Sequence, residues 1–124
     1  MSISERGVER RKYPRAKADF HAEIDNGFEA VRTKVDNISC SGIYCEVNKK
    51  VPLMTKLDLN MLIPTTFPSM GEFFRVHCSS VVVRTELSKH KGKYNIAVLF
   101  SDLSESAKNK LSSYIVAKNL SSKS

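Results

Sequence analysis

Short segments in which apolar and polar residues alternate, separated by turn residues, limit the fold of this chain more than any other feature. Between Ala18 and Ile24 every second residue is apolar, which is typical of a half-buried strand. The pair Asn26-Gly27 that follows favours a tight hairpin turn. Five later segments have the same β-like character: 28–38, 42–47, 57–61, 73–85 and 94–100. The pattern predicts about six short strands joined by tight turns.

The last part of the chain changes from a strand period to a helical period. Its apolar positions are spaced as one face of an amphipathic helix that ends on a lysine stem: Ala107, Leu111, Tyr114, Ile115 and Lys118. Asp102, followed three residues later by Glu105, predicts the N-terminal cap of this helix. Six strands followed by one helix predict a mainly β fold, an antiparallel barrel or sandwich on which the helix packs.

Length and composition fit one domain with an ordinary core. The chain has 124 residues, of which 41% are hydrophobic, and it contains no Trp. It lacks both the apolar run of about 20 residues that a membrane helix needs and the pattern of a secretory signal. Its three cysteines, an odd number, argue against a disulfide framework. We therefore expect a reduced, cytoplasmic protein without a membrane span.

Positive charge is concentrated at the N-terminus. The net charge is +7, and residues 1–17 carry six basic side chains against two acidic ones. Such an arm favours an anionic partner, and nucleic acid, a phosphorylated small molecule and an acidic membrane surface all fit the charge. The predicted organisation is a flexible basic arm at 1–15, a barrel with its helix at 16–120 and a disordered tail at 121–124.

The first motif that could carry chemistry lies in this arm. Arg11 and Arg15 are four residues apart, and Arg10 directly precedes them. Pro14 favours an extended backbone over a helix at this point. Guanidinium groups in such an arm can grip phosphates in bidentate fashion and can pair with or stack on guanine. Without a second motif, the simpler interpretation is a solvated basic tail.

The second motif, 36–42, lies where one predicted strand ends and the next begins. Asn37 and Ser39 offer an amide and a hydroxyl that could contact a guanine edge, and Asp36 and Ser41 are further candidates. Gly42 is predicted to supply a backbone conformation with positive φ. Taken alone, this motif indicates no more than a well-formed strand connection.

In this order and spacing the two motifs resemble the PilZ domain family. The family pattern is Arg-x-x-x-Arg, then a strand hairpin, then Asn-x-Ser-x-x-Gly, which here begins 22 residues after Arg15. The segment 96–104 is similar to the last strand and helix entry of the family, with Ala97 where the family often has Gly. We interpret that difference as a matter of packing. The resemblance extends from about residue 9 to about residue 115.

The resemblance implies a fold and a ligand. The fold is a six-stranded antiparallel β-barrel with a C-terminal helix, and the ligand is cyclic di-GMP, bound on the outside of the barrel. Arg11 and Arg15 would engage phosphate and guanine, Asn37 and Ser39 would contact the other side of the ligand, and Gly42 would shape the loop. An arginine at the position of Arg10 implies two intercalated ligand molecules.

The implied function is that of a receptor or adaptor without catalytic activity. Ligand binding would change the arm and thereby signal to an unidentified downstream protein. No catalytic residue and no cofactor other than the ligand is assigned. The cysteine and histidine spacings do not match a zinc pattern, so we expect no metal site and interpret the cysteines as buried or half-buried structural thiols. The oligomeric state stays open.

Two other functions are compatible with parts of the sequence. A PilZ-like adaptor that works without ligand would keep the barrel, but such proteins usually lack the arginine pair or the second motif. A small barrel that binds single-stranded nucleic acid would use the basic arm, but the aromatic residues mostly occupy predicted core positions and form no row for base stacking. Nucleic acid is therefore the less favoured partner.

Overall fold

In the part of the chain that the structure describes, seven strands, all paired antiparallel, form one sheet that closes on itself. A computed structural model describes residues 15–64 and 73–123 of the chain. In chain order the elements are β1 (Arg15–Lys17), β2 (His21–Asp25), β3 (Ala30–Ser39), β4 (Gly42–Val47), β5 (Lys56–Pro64), β6 (Phe73–Leu87), β7 (Tyr94–Phe100) and the helix α1 (Glu105–Lys123).

Closure of the barrel depends on β3. The strands follow each other in the order β3-β2-β5-β6-β7-β4, and β4 pairs again with β3, which completes a six-stranded barrel. The predicted barrel and C-terminal helix are thereby confirmed. The seventh strand, β1, lies outside the ring and pairs with the last three residues of β3. It begins at Arg15, inside the segment that the sequence predicted to be a flexible arm.

The barrel interior is filled by the apolar half of each alternating pattern. β5 shows this most regularly, with Leu57, Leu59, Met61 and Ile63 buried and their neighbours exposed or half-buried. Each such side chain contributes about 1.5–3 kcal/mol when it is fully removed from water. The period-2 pattern therefore identified the inward face of this strand correctly.

The first predicted strand is interrupted before β2. Ala18 and Phe20 still bond to β3 through their backbones, with Ala18 N donating to Asp36 O (3.0 Å) and Val35 N donating to Phe20 O (3.0 Å). Three residues between β1 and β2 face two residues of β3, so the chain bulges at Asp19. The strand predicted from Ala18 onward is present only from His21, because a bulge leaves no mark in the alternation of apolar residues.

The predicted hairpin turn between β2 and β3 is confirmed. Gly27 has φ +96°, a conformation that favours glycine. The side chain of Asn26 accepts hydrogen bonds from the backbone N–H groups of Phe28 (2.9 Å) and Glu29 (3.0 Å). This turn places Phe28 at the tip of the hairpin.

The helix begins at Glu105, but its cap differs from the prediction. Ser104 Oγ accepts a hydrogen bond from Ala107 N (3.1 Å), so Ser104 is the capping residue. Asp102, which the sequence predicted as the cap, instead accepts from Ser79 N on β6 (2.7 Å). The carboxylate of Asp102 thus fastens the entry of the helix to the barrel wall.

The predicted apolar face of α1 packs against one end of the barrel. Leu111, Tyr114 and Ile115 are buried, and the ring of Tyr114 meets Phe20 edge to face at 5.7 Å. The helix continues to Lys123, which is the third residue of the segment 121–124 that the sequence predicted to be a disordered tail. Within the ranges 15–64 and 73–123, no helix has both the length and the apolar character needed to span a bilayer.

Asp19 fastens the second half of the helix to the bulge. Its carboxylate accepts hydrogen bonds from Tyr114 Oη (2.5 Å) and Lys118 Nζ (3.1 Å). Burial raises the pKa of Asp19, but these two hydrogen bonds outweigh burial and hold the pKa below its ordinary value of 3.8. A lowered pKa means that the ionised form favours the folded state. This stabilisation is present above pH 3.8 and is lost as the pH falls through the lowered pKa.

We expect Tyr114→Phe to lower the free energy of unfolding by about 1 kcal/mol at neutral pH, because it removes a hydrogen bond to a half-exposed carboxylate. Urea denaturation measures the change. The deficit should shrink as the pH falls below 3.8 and through the lowered pKa of Asp19, because the protonated carboxyl group favours this hydrogen bond less. Tyr44→Phe, which removes a hydroxyl bonded to the exposed Glu86, is the matched control and should cost less. Equal stability of Tyr114→Phe and the wild type at neutral pH would contradict this account.

Candidate functional site

β1 brings the end of the basic arm beside the second motif. The register pairs Arg15 with Ser39 and Lys17 with Asn37. The helix supports this position, since Asn119 Nδ2 donates a hydrogen bond to Arg15 O (3.1 Å). The two motifs, 22 residues apart in sequence, are therefore neighbours across two hydrogen-bonded strands.

The turn between β3 and β4 is fixed by its serines. Ser39 Oγ accepts from Ser41 N (3.1 Å) and lies 2.9 Å from Ser41 Oγ. Ser41 O accepts from Phe100 N on β7 (2.9 Å). Local side-chain bonds of this kind hold a turn in one conformation, so the two hydroxyls present a fixed polar edge.

Gly42 is required for a reason other than the predicted one. Its φ is not positive, in contrast to Gly27 and Gly92. A Cβ atom at Gly42 would lie 2.1 Å from Val98 O and 3.0 Å from Val98 C, which are rigid backbone atoms. The residue therefore permits β4 and β7 to approach each other closely, and the expectation of a left-handed conformation is wrong.

A bulge in β3 turns Asn37 outward. Asp36 is the extra residue between Val35 and Asn37, and the inward positions resume at Ile38. Burial, and next to it the negative charge of Glu46, raise the pKa of Asp36. Asp36 thus occupies the bulge, where the charge of Glu46 acts on its carboxylate, and Asn37 directs its amide to the outer face of the barrel.

One outward-facing row crosses the barrel wall beside this bulge. Asn37 pairs with Tyr44, Tyr44 with Ala97, and Ala97 with Arg84 after a second bulge at Val83. The small side chain of Ala97 in the middle of the row leaves a depression between larger neighbours. The resulting groove has a volume of about 450 Å³ and is lined by Arg15, Asn37, Ile38, Ser39, Ser41, Gly42, Ile43, Tyr44, Val83, Arg84, Ala97, Val98 and Leu99.

The groove combines the groups that a flat, phosphorylated ligand requires. Arg15 and Arg84 supply cations, and the amide of Asn37 supplies a donor and an acceptor. The phenol of Tyr44 donates to Glu86 Oε1 (2.9 Å). Burial, and next to it this bond to Glu86, raise the pKa of Tyr44, so the phenol stays neutral. The volume of the groove is within the range of small-molecule sites, about 300–1,000 Å³.

Most of the described candidates from the sequence meet in this groove. Arg15, Asn37, Ser39, Ser41 and Gly42 line it, whereas Asp36 occupies the bulge that precedes Asn37. Two further candidates, Arg10 and Arg11, lie outside the described residues.

Among the groove residues that were not assigned from the sequence, three belong to the outward-facing row. Tyr44 and Arg84 stand at outward strand positions, where polar residues are ordinary, so nothing local marked them. Ala97, interpreted as a packing difference, lies on the groove wall and bears on the shape of the site. Only the pairing register shows that the three share one row.

The three thiols belong to the hydrophobic core or pack against it. Cys45 and Cys78 are buried and Cys40 is half-buried, as the sequence predicted. Burial raises the pKa of Cys45 to about 12 and that of Cys78 to about 11, so both stay protonated. Among residues 15–64 and 73–123, no group of three or more His, Cys, Asp and Glu side chains is placed to hold a metal ion.

Comparison with known proteins relates this fold to one family. The family model of the PilZ domain matches residues 9–117. No curated protein sequence matches the chain significantly.

Solved structures of similar fold include three bacterial proteins. The Bacillus subtilis inhibitor of motility, MotI/DgrA, superposes with a TM-score of 0.76 at 22% identity, over 90% of this chain and 52% of that one. The Escherichia coli YcgR PilZ domain with cyclic di-GMP gives 0.65 at 12%, over 92% and 95%. The Klebsiella pneumoniae MrkH–cyclic di-GMP complex gives 0.72 at 15%, over 92% and 54%. The chain thus spans about half the length of MotI and of MrkH. At these low identities, the superpositions show a shared fold.

We expect Gly42→Ala to lower the free energy of unfolding by about 2 kcal/mol or more, because the new methyl group overlaps the Val98 carbonyl. Gly92→Ala is the contrasting variant. It meets open space at φ +79° and should lose only about 1 kcal/mol to backbone strain. Chemical denaturation compares the two, and equal losses would argue against the close approach of β4 and β7.

Proposed function

The chain belongs to the PilZ domain family, and we propose that it is a receptor that binds cyclic di-GMP in the groove formed by β1, β3, β4, β6 and β7. The observation that carries this proposal is the pairing of Arg15 with Ser39, which unites the two motifs in one site. Cyclic di-GMP is present in solved structures of the YcgR PilZ domain and of MrkH, which share this fold.

The chemistry of the groove matches the parts of this ligand. Cyclic di-GMP carries two phosphates and two flat purines, each with donors and acceptors on its edge. Arg15 engages a phosphate or a guanine edge, and Asn37 and Ser39 bond to the opposite side of the ligand. Charge-assisted hydrogen bonds of this kind contribute about 1.5–3 kcal/mol each.

Arg84 is a second cation of the described groove. It stands across Ala97 from Tyr44, at the end of the outer row away from Arg15. A ligand that lies along this row contacts Arg15 at one end and Arg84 at the other, which matches two phosphates on opposite sides of a ring. Tyr44, between them, offers an aromatic edge or face to a purine.

The residues that precede Arg15 complete the site when ligand binds. Arg11 and Arg10 precede Arg15 by four and five residues, so the chain between them is long enough for their side chains to reach a ligand in the groove. In our proposal the arm closes over the ligand, and Arg10 supports a second, intercalated molecule. The closed arm presents a new surface, through which the receptor signals to a partner protein.

We expect isothermal titration calorimetry to show selective binding of cyclic di-GMP, with GTP and cyclic di-AMP as controls. Arg11→Ala/Arg15→Ala should abolish the binding, because it removes both guanidinium groups of the first motif. A stoichiometry near two ligands per chain that falls to one in Arg10→Ala would support the intercalated pair. A wild-type protein that binds none of these nucleotides would refute the receptor and favour a ligand-independent adaptor.

Arg84→Ala should raise the Kd for cyclic di-GMP about tenfold or more, because it removes one charge-assisted contact. Arg75→Ala is a matched control, since Arg75 is exposed on β6 outside this groove. Calorimetry under the same conditions compares the two variants. If both variants lose the same small amount of affinity, Arg84 acts only through the general charge of the protein.

A further inference from the structure

The end of the barrel opposite α1 has an unusual surface, which we call the distal end. It consists of three connections that the strand register places together: the β2–β3 turn (26–29), the β4–β5 connection (48–55) and the β6–β7 turn (88–93). Direct contacts join them to each other or to the wall. Lys49 Nζ lies 3.2 Å from Glu29 Oε1, and His90 Nδ1 lies 2.7 Å from Glu46 Oε2.

Large apolar side chains protrude into solvent from these connections and from the end of β6. Phe28 is 96% exposed, Leu87 78%, Met54 70% and Leu53 60%. Such values mean that these side chains do little to stabilise the folded chain. Met54 is held at φ +69°, a conformation that is costly for a residue with a side chain, by a hydrogen bond from its N–H to Val82 O (2.7 Å). The side chain of Met54 therefore lies outside the core, on a backbone conformation that lowers the stability of the fold.

Lysines surround these apolar side chains. The distal end, together with the flanking strand residues Asp25 and Lys56, contains six lysines and two acidic residues, with neither Arg nor Tyr. All six lysines are exposed: Lys49, Lys50, Lys56, Lys89, Lys91 and Lys93. Between the hairpin and the β4–β5 connection the barrel opens into a depression of about 300 Å³ with Val31, Val51 and Pro52 in its wall.

This composition distinguishes between two kinds of partner. Interfaces with proteins are enriched in Tyr, Trp and Arg and depleted in Lys. Adsorption to a membrane surface needs diffuse positive charge, which lysines supply at about 1 kcal/mol each, and apolar tips that enter the headgroup region. Lysine stems reach past such tips to the phosphates. The distal end has the second composition.

We propose that the distal end docks on an anionic lipid bilayer, with Phe28, Leu53 and Met54 entering the headgroup region and the lysines contacting lipid phosphates. The groove and α1 lie away from this surface, so the docked protein keeps both accessible. The proposal does not rest on the binding of cyclic di-GMP, because none of its residues lines the groove.

Co-sedimentation with vesicles tests the electrostatic part. The full chain should bind vesicles of phosphatidylcholine mixed with phosphatidylglycerol, should not bind phosphatidylcholine alone, and should dissociate as salt is raised. Lys89→Glu/Lys91→Glu should weaken binding at least about tenfold. Lys34→Glu/Lys108→Glu makes the same change in net charge on β3 and α1 and should bind nearly as the wild type does.

Tryptophan fluorescence tests insertion, because the natural chain contains no Trp. In Phe28→Trp the emission should shift to the blue when anionic vesicles are added. Leu62→Trp, at a position 46% exposed on the side of the barrel, should show no shift. A soluble polyglutamate peptide should shift neither variant.

Three results would overturn the proposal. The first is a wild-type protein that does not sediment with anionic vesicles. The second is equal weakening by the two double variants, which would assign vesicle binding to overall charge or to the basic arm. The third is a Phe28→Trp protein that binds polyglutamate as tightly as vesicles and shows no blue shift, which would assign the distal end to an acidic protein.

Discussion

The hydrogen bonds between β1 and the end of β3 are the interaction on which the site depends. β3 pairs with β2 over its first half and with β4 over its second half, and the bulge at Asp36 lies in that second half. The last three residues of β3 also pair with β1. This strand therefore closes the barrel and orients Asn37 through its bonds to β4, and it positions Arg15 through its bonds to β1. A shift of the β1–β3 register by one residue would turn Arg15 away from Ser39.

The helix is attached to the same segment that carries Arg15. Asn119 bonds to the Arg15 carbonyl, and Asp19, four residues later, is bonded by Tyr114 and Lys118. A displacement of Arg15 is therefore opposed by its bond to α1 as well as by the pairing of β1 with β3. Because these bonds are local and partly exposed, each is worth little alone, and their joint effect is to restrict where Arg15 can lie.

Polar chemistry is separated along the axis of the barrel. Near the helix, bulges and small residues create a groove whose cations are arginines suited to bidentate contacts. At the distal end the cations are lysines and the apolar residues protrude. A closed barrel allows this separation because its rigid wall keeps the two surfaces apart, and occupancy of one does not require the other to change. In our two proposals, the groove binds a small anion and the distal end faces a large anionic surface.

The sequence determined the strand faces, the hairpin turn at Gly27, the buried face of α1 and five residues that line the groove, because these depend on local period, turn chemistry and a short motif. It placed the helix cap at Asp102 and not at Ser104, and it did not indicate the bulge at Asp19. It also predicted a positive φ at Gly42, where glycine is instead needed for the close approach of a neighbouring strand. Each of these features depends on which strand lies alongside. The tertiary structure alone decided that Tyr44, Ala97 and Arg84 share one row with Asn37. Register and barrel closure bring residues from distant parts of the chain together, and no local pattern records contacts of that range.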